Sequence, residues 1–173
     1  MNVYLYRHGA CEEPEAGKAD EERLLTGEGR QAVSETLRGL RALIPQVDYI
    51  LTSPMKRAVE TAALVAAEYK CAGFIEILPA LAGRGNEAGI TSVLNKLIGK
   101  EHILVVGHSP HLGELAKHLA GEKLESPPDI KKAGAAKIHI KGFPGPGEGM
   151  LRWVMTADEL KKTGERSPHS MTE

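Results

Sequence analysis

His102-Ile103-Leu104-Val105-Val106-Gly107-His108-Ser109-Pro110 is the stretch on which the fold turns. Ile103 through Val106 are apolar without a break. A strand that is apolar on both faces suits the middle of a parallel sheet covered by helices on both sides. Ser109-Pro110 then reads as an N-cap followed by proline at the first helical position. Leu112, Leu115, Ala116, Leu119 and Ala120 form one helical face beyond it, and Gly121 closes the helix. A strand thus passes directly into a helix with His108 at the joint. Open α/β sheets bind their ligands at that end of the strand.

The same arrangement opens the chain. Val3 to Tyr6 reads as a short strand, and Arg7-His8-Gly9 follows without a spacer. Arginine offers a planar fork for phosphate. Histidine can be a nucleophile at neutral pH. Glycine lets a ligand approach the backbone. Alone, the tripeptide is equally compatible with a strand end carrying a satisfied histidine, so its meaning depends on what accompanies it.

Between these two strands the chain alternates. Residues 10–22 are rich in charge and alanine and read as a loop over the strand end. Thr26 is an N-cap for a helix from about Gly27 to Leu43, which Pro45 stops. Asp48 to Thr52 is a second strand, and Ser53-Pro54 starts a helix that reaches about Tyr69. Arg57 lies in the first turn of that helix, where the dipole favours acids. A cation placed there, near another strand's carboxyl end, suggests an anion held between them; a solvated surface arginine is the plain alternative. Phe74 to Leu78 is a third strand, residues 79–89 a glycine-rich loop, and Ile90 to Ile98 an amphipathic helix. After His108 and its helix, Ala133 to Ile140 and Met150 to Met155 read as two strands of a hairpin. Residues 163–173 are polar and read as a frayed tail.

The expectation is therefore an α/β fold of three layers, α-β-α. Its central sheet is mainly parallel, with an antiparallel element in the C-terminal strands. Residues 1–162 are expected to form one domain, with 163–173 as the tail. Composition agrees: 173 residues, 42% hydrophobic and 26% charged, describe an ordinary globular protein. A formal net charge of −1 supplies no global field for nucleic acid or an acidic membrane. No run approaches the ~20 apolar residues of a membrane span. The N-terminus has no basic stretch followed by an apolar one, so a cytoplasmic location is expected. Cys11 and Cys71 are too few for a disulfide framework, and Cys11 is read as small half-buried filler rather than a reactive thiol.

Three strand ends thus supply Arg7 with His8, Arg57, and His108, and a doubly wound sheet brings such ends to one crevice. Two arginines with two histidines favour phosphate as the guest. No glycine-rich loop ending in Gly-Lys-Ser/Thr points to nucleoside triphosphates, and no carboxylate cluster points to magnesium. A metal between His8 and His108 is disfavoured by the neighbouring guanidinium charges, so neither metal nor cofactor is expected. His102, His118, His139 and His169 read as surface or packing residues, as does His111, although it lies near the crevice.

In this order the segments resemble the histidine phosphatase superfamily, the phosphoglycerate mutase-like group, in its SixA-type phosphohistidine phosphatase branch. The resemblance spans nearly the whole chain. It rests on Arg7-His8-Gly9, on Asp20-Glu-Glu-Arg23-Leu-Leu-Thr26 with Gly29, and on Thr52-Ser-Pro-Met-Lys-Arg57-Ala-Val-Glu-Thr61. It continues in Val106-Gly-His108-Ser-Pro110 and in Leu151-Arg-Trp153 with Leu160. The short length, without a large insertion, favours that branch over the mutases. The resemblance implies a two-step transfer, in which His8 attacks phosphorus and water then releases phosphate. It implies a pocket of Arg7, Arg57 and His108, with Arg23 as a further phosphate or substrate contact. Guanidinium groups beside the nucleophile disfavour its protonated form and meet the charge on the transferring oxygens.

The chain departs from the family in its acid. Family members acting on phosphate esters carry an acidic proton donor soon after the third strand; here that position falls at or near Ala80, and Glu87 is the nearest carboxylate. Ala10 also replaces an acid that often follows Arg-His-Gly. A sugar alkoxide leaves only with a general acid, whereas a phosphorylated imidazole can take its proton from solvent. The expected activity is metal-independent removal of phosphate from phosphohistidine on a protein through a covalent phosphohistidine intermediate. Two alternatives stay open: a small-molecule phosphomonoesterase using Glu87 as acid, and a non-catalytic phosphate or phosphohistidine binder. The expected partner is a phosphorylated protein or a small phosphorylated metabolite, with no nucleic acid and no membrane, and a monomer is the assembly considered.

Overall fold

The computed structural model describes residues 1–84 and 86–166, together with the backbone but not the side chain of Ala72. Its strands are β1 (Asn2–Arg7), β2 (Tyr49–Thr52), β3 (Ile75–Ile77), β4 (His102–Gly107), β5 (Ala135–Ile140) and β6 (Gly149–Met155). Its α-helices are α1 (Gly27–Leu43), α2 (Lys56–Tyr69), α3 (Glu87–Lys96), α4 (His111–Ala120) and α5 (Ala157–Glu165). The strands form one sheet in the order β3-β2-β4-β1-β5-β6. β1 to β4 are mutually parallel, while β5 runs antiparallel to β1 and β6 antiparallel to β5. This is the α/β architecture expected, with the C-terminal hairpin as its antiparallel element.

Strand alternation explains the layers. Tyr4, Tyr6, Ile50, Leu104 and Val106 face α1, α2 and Leu160 of α5. Val3, Leu5, Leu51, Ile103 and Val105 face α3 and α4. All ten are buried, so the uninterrupted run in β4 is a central strand covered on both sides. No helix among the described residues is long and apolar enough to cross a membrane.

Register positions the strand ends. Arg7 of β1 pairs with Gly107 of β4, and Thr52 of β2 pairs with Val106. The three strands therefore end nearly level, and His8, Ser53 and His108 leave the sheet side by side. The His8 amide donates to the Gly107 carbonyl at 3.1 Å, and the Ser53 amide to Val106 at 3.0 Å.

Three expectations need correction. Thr26 caps α1, accepting from the Gly29 amide at 3.0 Å, but neither Ser-Pro pair caps a helix. α2 begins at Lys56 behind Met55, and α4 at His111 behind Pro110, each without a side-chain cap. The two serines are engaged elsewhere: Ser53 with His108, and Ser109, whose hydroxyl donates to the Ile130 carbonyl at 2.8 Å. The third concerns the polar tail: its first residues, Thr163 to Glu165, are the last turn of α5. That helix starts with a full capping box between Thr156 and Glu159. Arg166 is its C-cap, and residues 167–173, the remainder of the expected tail, lie outside the described residues.

α5 packs against α1 at unusually short range. A Cβ on Gly39 would stand 1.7 Å from the Leu160 carbonyl oxygen, and one on Gly164 would stand 2.9 Å from the Gly39 nitrogen. Only glycines allow the two backbones to meet this closely.

Candidate active site

Four side chains expected at the strand ends come together. His8, Arg57 and His108 are buried, at 5%, 8% and 7% exposure, and Arg7 is half-buried. The His8 and His108 rings stand 5.0 Å apart, tilted by 58°.

The backbone around His8 is clamped. The Gly9 amide donates to the Thr61 hydroxyl of α2 at 3.4 Å. A Cβ on Gly9 would lie 2.8 Å from both the Gly29 carbonyl oxygen and a Val33 methyl. The strand end is thereby wedged between α1 and α2.

The hydrogen bonds decide the His8 tautomer. Its Nδ1 lies 2.7 Å from the Gly9 carbonyl oxygen. A carbonyl only accepts, so Nδ1 carries the proton and donates, and Nε2 of the neutral ring keeps its lone pair. The ring is held neutral: burial first, then the charges of Arg57, Arg7 and Lys132, bring its pKa down to about 4, against the opposing bond to Gly9. His108 is brought down to about 3, by burial first and then by His8, Arg57 and His111. Its Nε2 and the Ser53 hydroxyl are 2.7 Å apart, while its Nδ1 is buried without a partner.

The arginines are each fixed from one side. Arg7 donates from Nη1 to the Ile130 carbonyl at 3.0 Å, and its Nε is buried without a partner. Arg57 donates from Nη1 to the Asp20 carbonyl at 2.7 Å and from Nη2 to Asp20 Oδ2 at 2.9 Å. A guanidinium has five N–H donors, so most of each arginine's capacity is left for another acceptor. Buried donors without partners beside a neutral imidazole make a cluster suited to a tetrahedral oxyanion.

Arg23 joins the cluster through Asp20. Its Nη1 donates to Asp20 Oδ1 at 2.6 Å, its Nε to the Glu12 carbonyl at 2.6 Å, and its Nη2 to Cys11 Sγ at 3.3 Å. Asp20 thus bridges two guanidinium groups, and the bonds to Arg23 and Arg57 hold its carboxyl below the usual carboxylate range. The loop over the site is itself closed: Cys11 bridges Leu25, and the Thr26 amide donates to Ala10 at 3.1 Å. Cys11 is buried inside it. Glu87 opens α3, and among the described residues its carboxylate makes no hydrogen bond or ion pair with His8, Arg7, Arg57 or His108.

Sequence reading missed three members of this cluster: Asp20 as a bridge, Ser53 as the partner of His108, and Thr61 as the clamp on Gly9. Asp20 carried a signal in its spacing, three residues before Arg23. The other two carried none, because serine and threonine are equally at home in caps and helices.

The fold and this cluster fit a phosphatase of α/β architecture, and comparison with known proteins agrees. Residues 3–88 match the family model of the histidine phosphatase superfamily (branch 1). The chain belongs to that superfamily, and its class of activity is that of a phosphatase. It is 30% identical over 136 residues to an uncharacterised protein of Picosynechococcus sp. (strain PCC 7002), covering 78% of this chain and 82% of that one. It is 27% identical over 163 residues to the phosphohistidine phosphatase SixA of Escherichia coli K12, covering 93% and 97% of the two chains. A solved structure of the protein histidine phosphatase SixA complexed with tungstate superposes with a TM-score of 0.82 at 26% identity, covering 92% of this chain and 99% of that one.

Proposed function

We propose that this protein hydrolyses phosphohistidine on a partner protein, without a metal ion, through a phosphohistidine formed on its own His8. The observation that carries the reading is the His8 tautomer. Nδ1 is committed to Gly9, so the neutral ring keeps the Nε2 lone pair as a nucleophile among cationic groups. Similarity to the SixA of Escherichia coli supports the substrate class, and tungstate, a tetrahedral oxyanion like phosphate, is the ligand of the SixA structure that superposes here.

In the first step Nε2 forms a bond to phosphorus, and the bond to the substrate nitrogen breaks with its electron pair. Arg7, Arg57 and His108 face the equatorial oxygens, where the transferring group carries its charge. In the second step water attacks phosphorus, the P–Nε2 bond breaks, and phosphate leaves. Arg23 holds Asp20, and through it Arg57, and is the more distant contact. The two guanidinium groups supply fixed positive charge of the kind a metal would otherwise bring, so turnover is expected to survive chelators.

The test is intact-protein mass after brief exposure to phosphoramidate and an alkaline quench, on wild type and His8→Ala, with circular dichroism to confirm folding. One phosphoryl adduct on wild type alone is expected, with hydrolysis unaffected by EDTA. No adduct on wild type, or an adduct on both proteins, overturns the reading.

A further inference from the structure

Phosphoryl transfer to His8 leaves a basic atom on the departing group, and the groups around His8 supply no evident proton for it. His8 and His108, brought down to about 4 and about 3, are neutral near pH 7. Asp20 is held ionised between Arg23 and Arg57. The Glu87 carboxylate has no bond to the cluster. Glu114, one turn into α4, pairs with Arg84 at 3.8 Å. The Ser109 hydroxyl is committed to the Ile130 carbonyl.

A further titratable side chain lies at this end of the sheet. His111 is the first residue of α4, three residues beyond His108. Its ring stands edge-on to that of His108, with centroids 6.4 Å apart and planes at 81°. Its Nδ1 is buried without a hydrogen-bond partner. The His108 ring therefore neighbours both, 5.0 Å from the ring of His8 and 6.4 Å from that of His111. In an in-line transfer the leaving atom lies beyond phosphorus from the nucleophile. Imidazole is the side chain that most readily exchanges a proton near neutrality.

Resting on the assignment of His8 as nucleophile, we infer that His111 is a catalytic acid of this site: it protonates the leaving atom. As Nε2 of His8 bonds to phosphorus, the breaking bond's pair goes to the leaving nitrogen or oxygen, which takes a proton from the His111 imidazolium. His111 is left neutral. When water attacks phosphorus the P–Nε2 pair returns to His8 and the water's proton passes to solvent; His111 regains its proton from solvent, and the cycle closes with no net proton on the protein. The consequence for specificity is direct. A site with its own donor acts on phosphate esters with poor leaving groups as well as on phosphoramidates, although Ala80 stands where an acid is expected after the third strand.

A series of aryl phosphates graded by the acidity of the departing phenol tests this, with the phosphoryl adduct on His8 followed by mass in parallel. General acids contribute about 10²–10⁴-fold. His111→Gln is expected to stay within about threefold of wild type on the most acidic phenol, which departs unaided, and to lose about 100-fold on the least acidic. In His111→Ala, added free imidazole is expected to restore turnover of the poor leaving groups only, a rescue that a purely structural role would not show. Equal losses across the series, or none, overturn the assignment of His111 while leaving His8 standing. A wild type that forms no adduct overturns both.

Discussion

Asp20 lies between the Nη2 of Arg57 and the Nη1 of Arg23. Its charge draws two guanidinium groups into one arrangement, and the Asp20 carbonyl adds a second bond to Arg57. Removing the charge has two opposed effects. The crevice becomes more positive, which favours anions, and Arg57 loses the charge-assisted bond that aims it. The carboxylate is 55% exposed, so its field is screened by solvent, whereas the bond geometry is local. Orientation therefore outweighs field. Asp20→Asn is expected to lower kcat by about tenfold, since displacements of about 1 Å can cost up to 10²-fold. Competitive inhibition by phosphate is expected to move less than about threefold, the screened field being the smaller effect. Steady-state kinetics with phosphate as inhibitor separates the two, and a tighter phosphate complex with unchanged kcat would show that the field dominates.

The helices divide into those readable from local pattern and one that was not. α1 announces itself with Thr26 at its cap and Val33, Leu37 and Leu40 on one buried face. α5 buries only Leu160 and Gly164, too little apolar pattern to mark a helix, and its one clear local signal is the capping box of Thr156 and Glu159. Its stability comes from contact with α1, where Gly39 and Gly164 let the backbones touch. Gly39→Ala places a methyl 1.7 Å from the Leu160 carbonyl oxygen, which cannot rotate away as a side chain would. The expected cost is about 1–3 kcal/mol, a drop of roughly 2–12 °C in Tm for a chain of this size. Gly27→Ala, at the start of α1 with nothing within 4 Å of its Cβ position, is expected to leave Tm unchanged or slightly raised. Thermal melts of the two variants check this, and equal behaviour would show that the α1–α5 contact gives way freely.

Across the whole molecule, the buried histidine pair ties stability to pH. Folding brings His8 from an ordinary 6.5 to about 4 and His108 from 6.5 to about 3. Below pH 6.5 the unfolded chain therefore binds protons that the native state refuses. Stability rises with pH where the unfolded state binds more protons, so it is full above about pH 6.5 and falls as pH drops toward 4. Urea unfolding at intervals from pH 8 to 4.5 is expected to show a flat midpoint, then a decline. The double variant His8→Gln, His108→Gln is expected to flatten that decline, and an unchanged slope would place the proton uptake elsewhere.

Local chemistry made much of this protein legible from its order of residues. The alternation of strand and helix, the burial of β4 on both faces, and the placing of Arg7, His8, Arg57 and His108 near strand ends all follow from periodicity, helix signals and side-chain type, which act over a few residues. The parallel pairing of Arg7 with Gly107 does not, because register joins segments a hundred residues apart and is set by the packing of the whole sheet. The Asp20 bridge, the Ile130 carbonyl on Arg7 and the pairing of the His8 and His108 rings likewise arise only when distant segments meet. Each is a hydrogen bond or ring contact made across the fold, and such contacts leave no period in the chain from which they could be read.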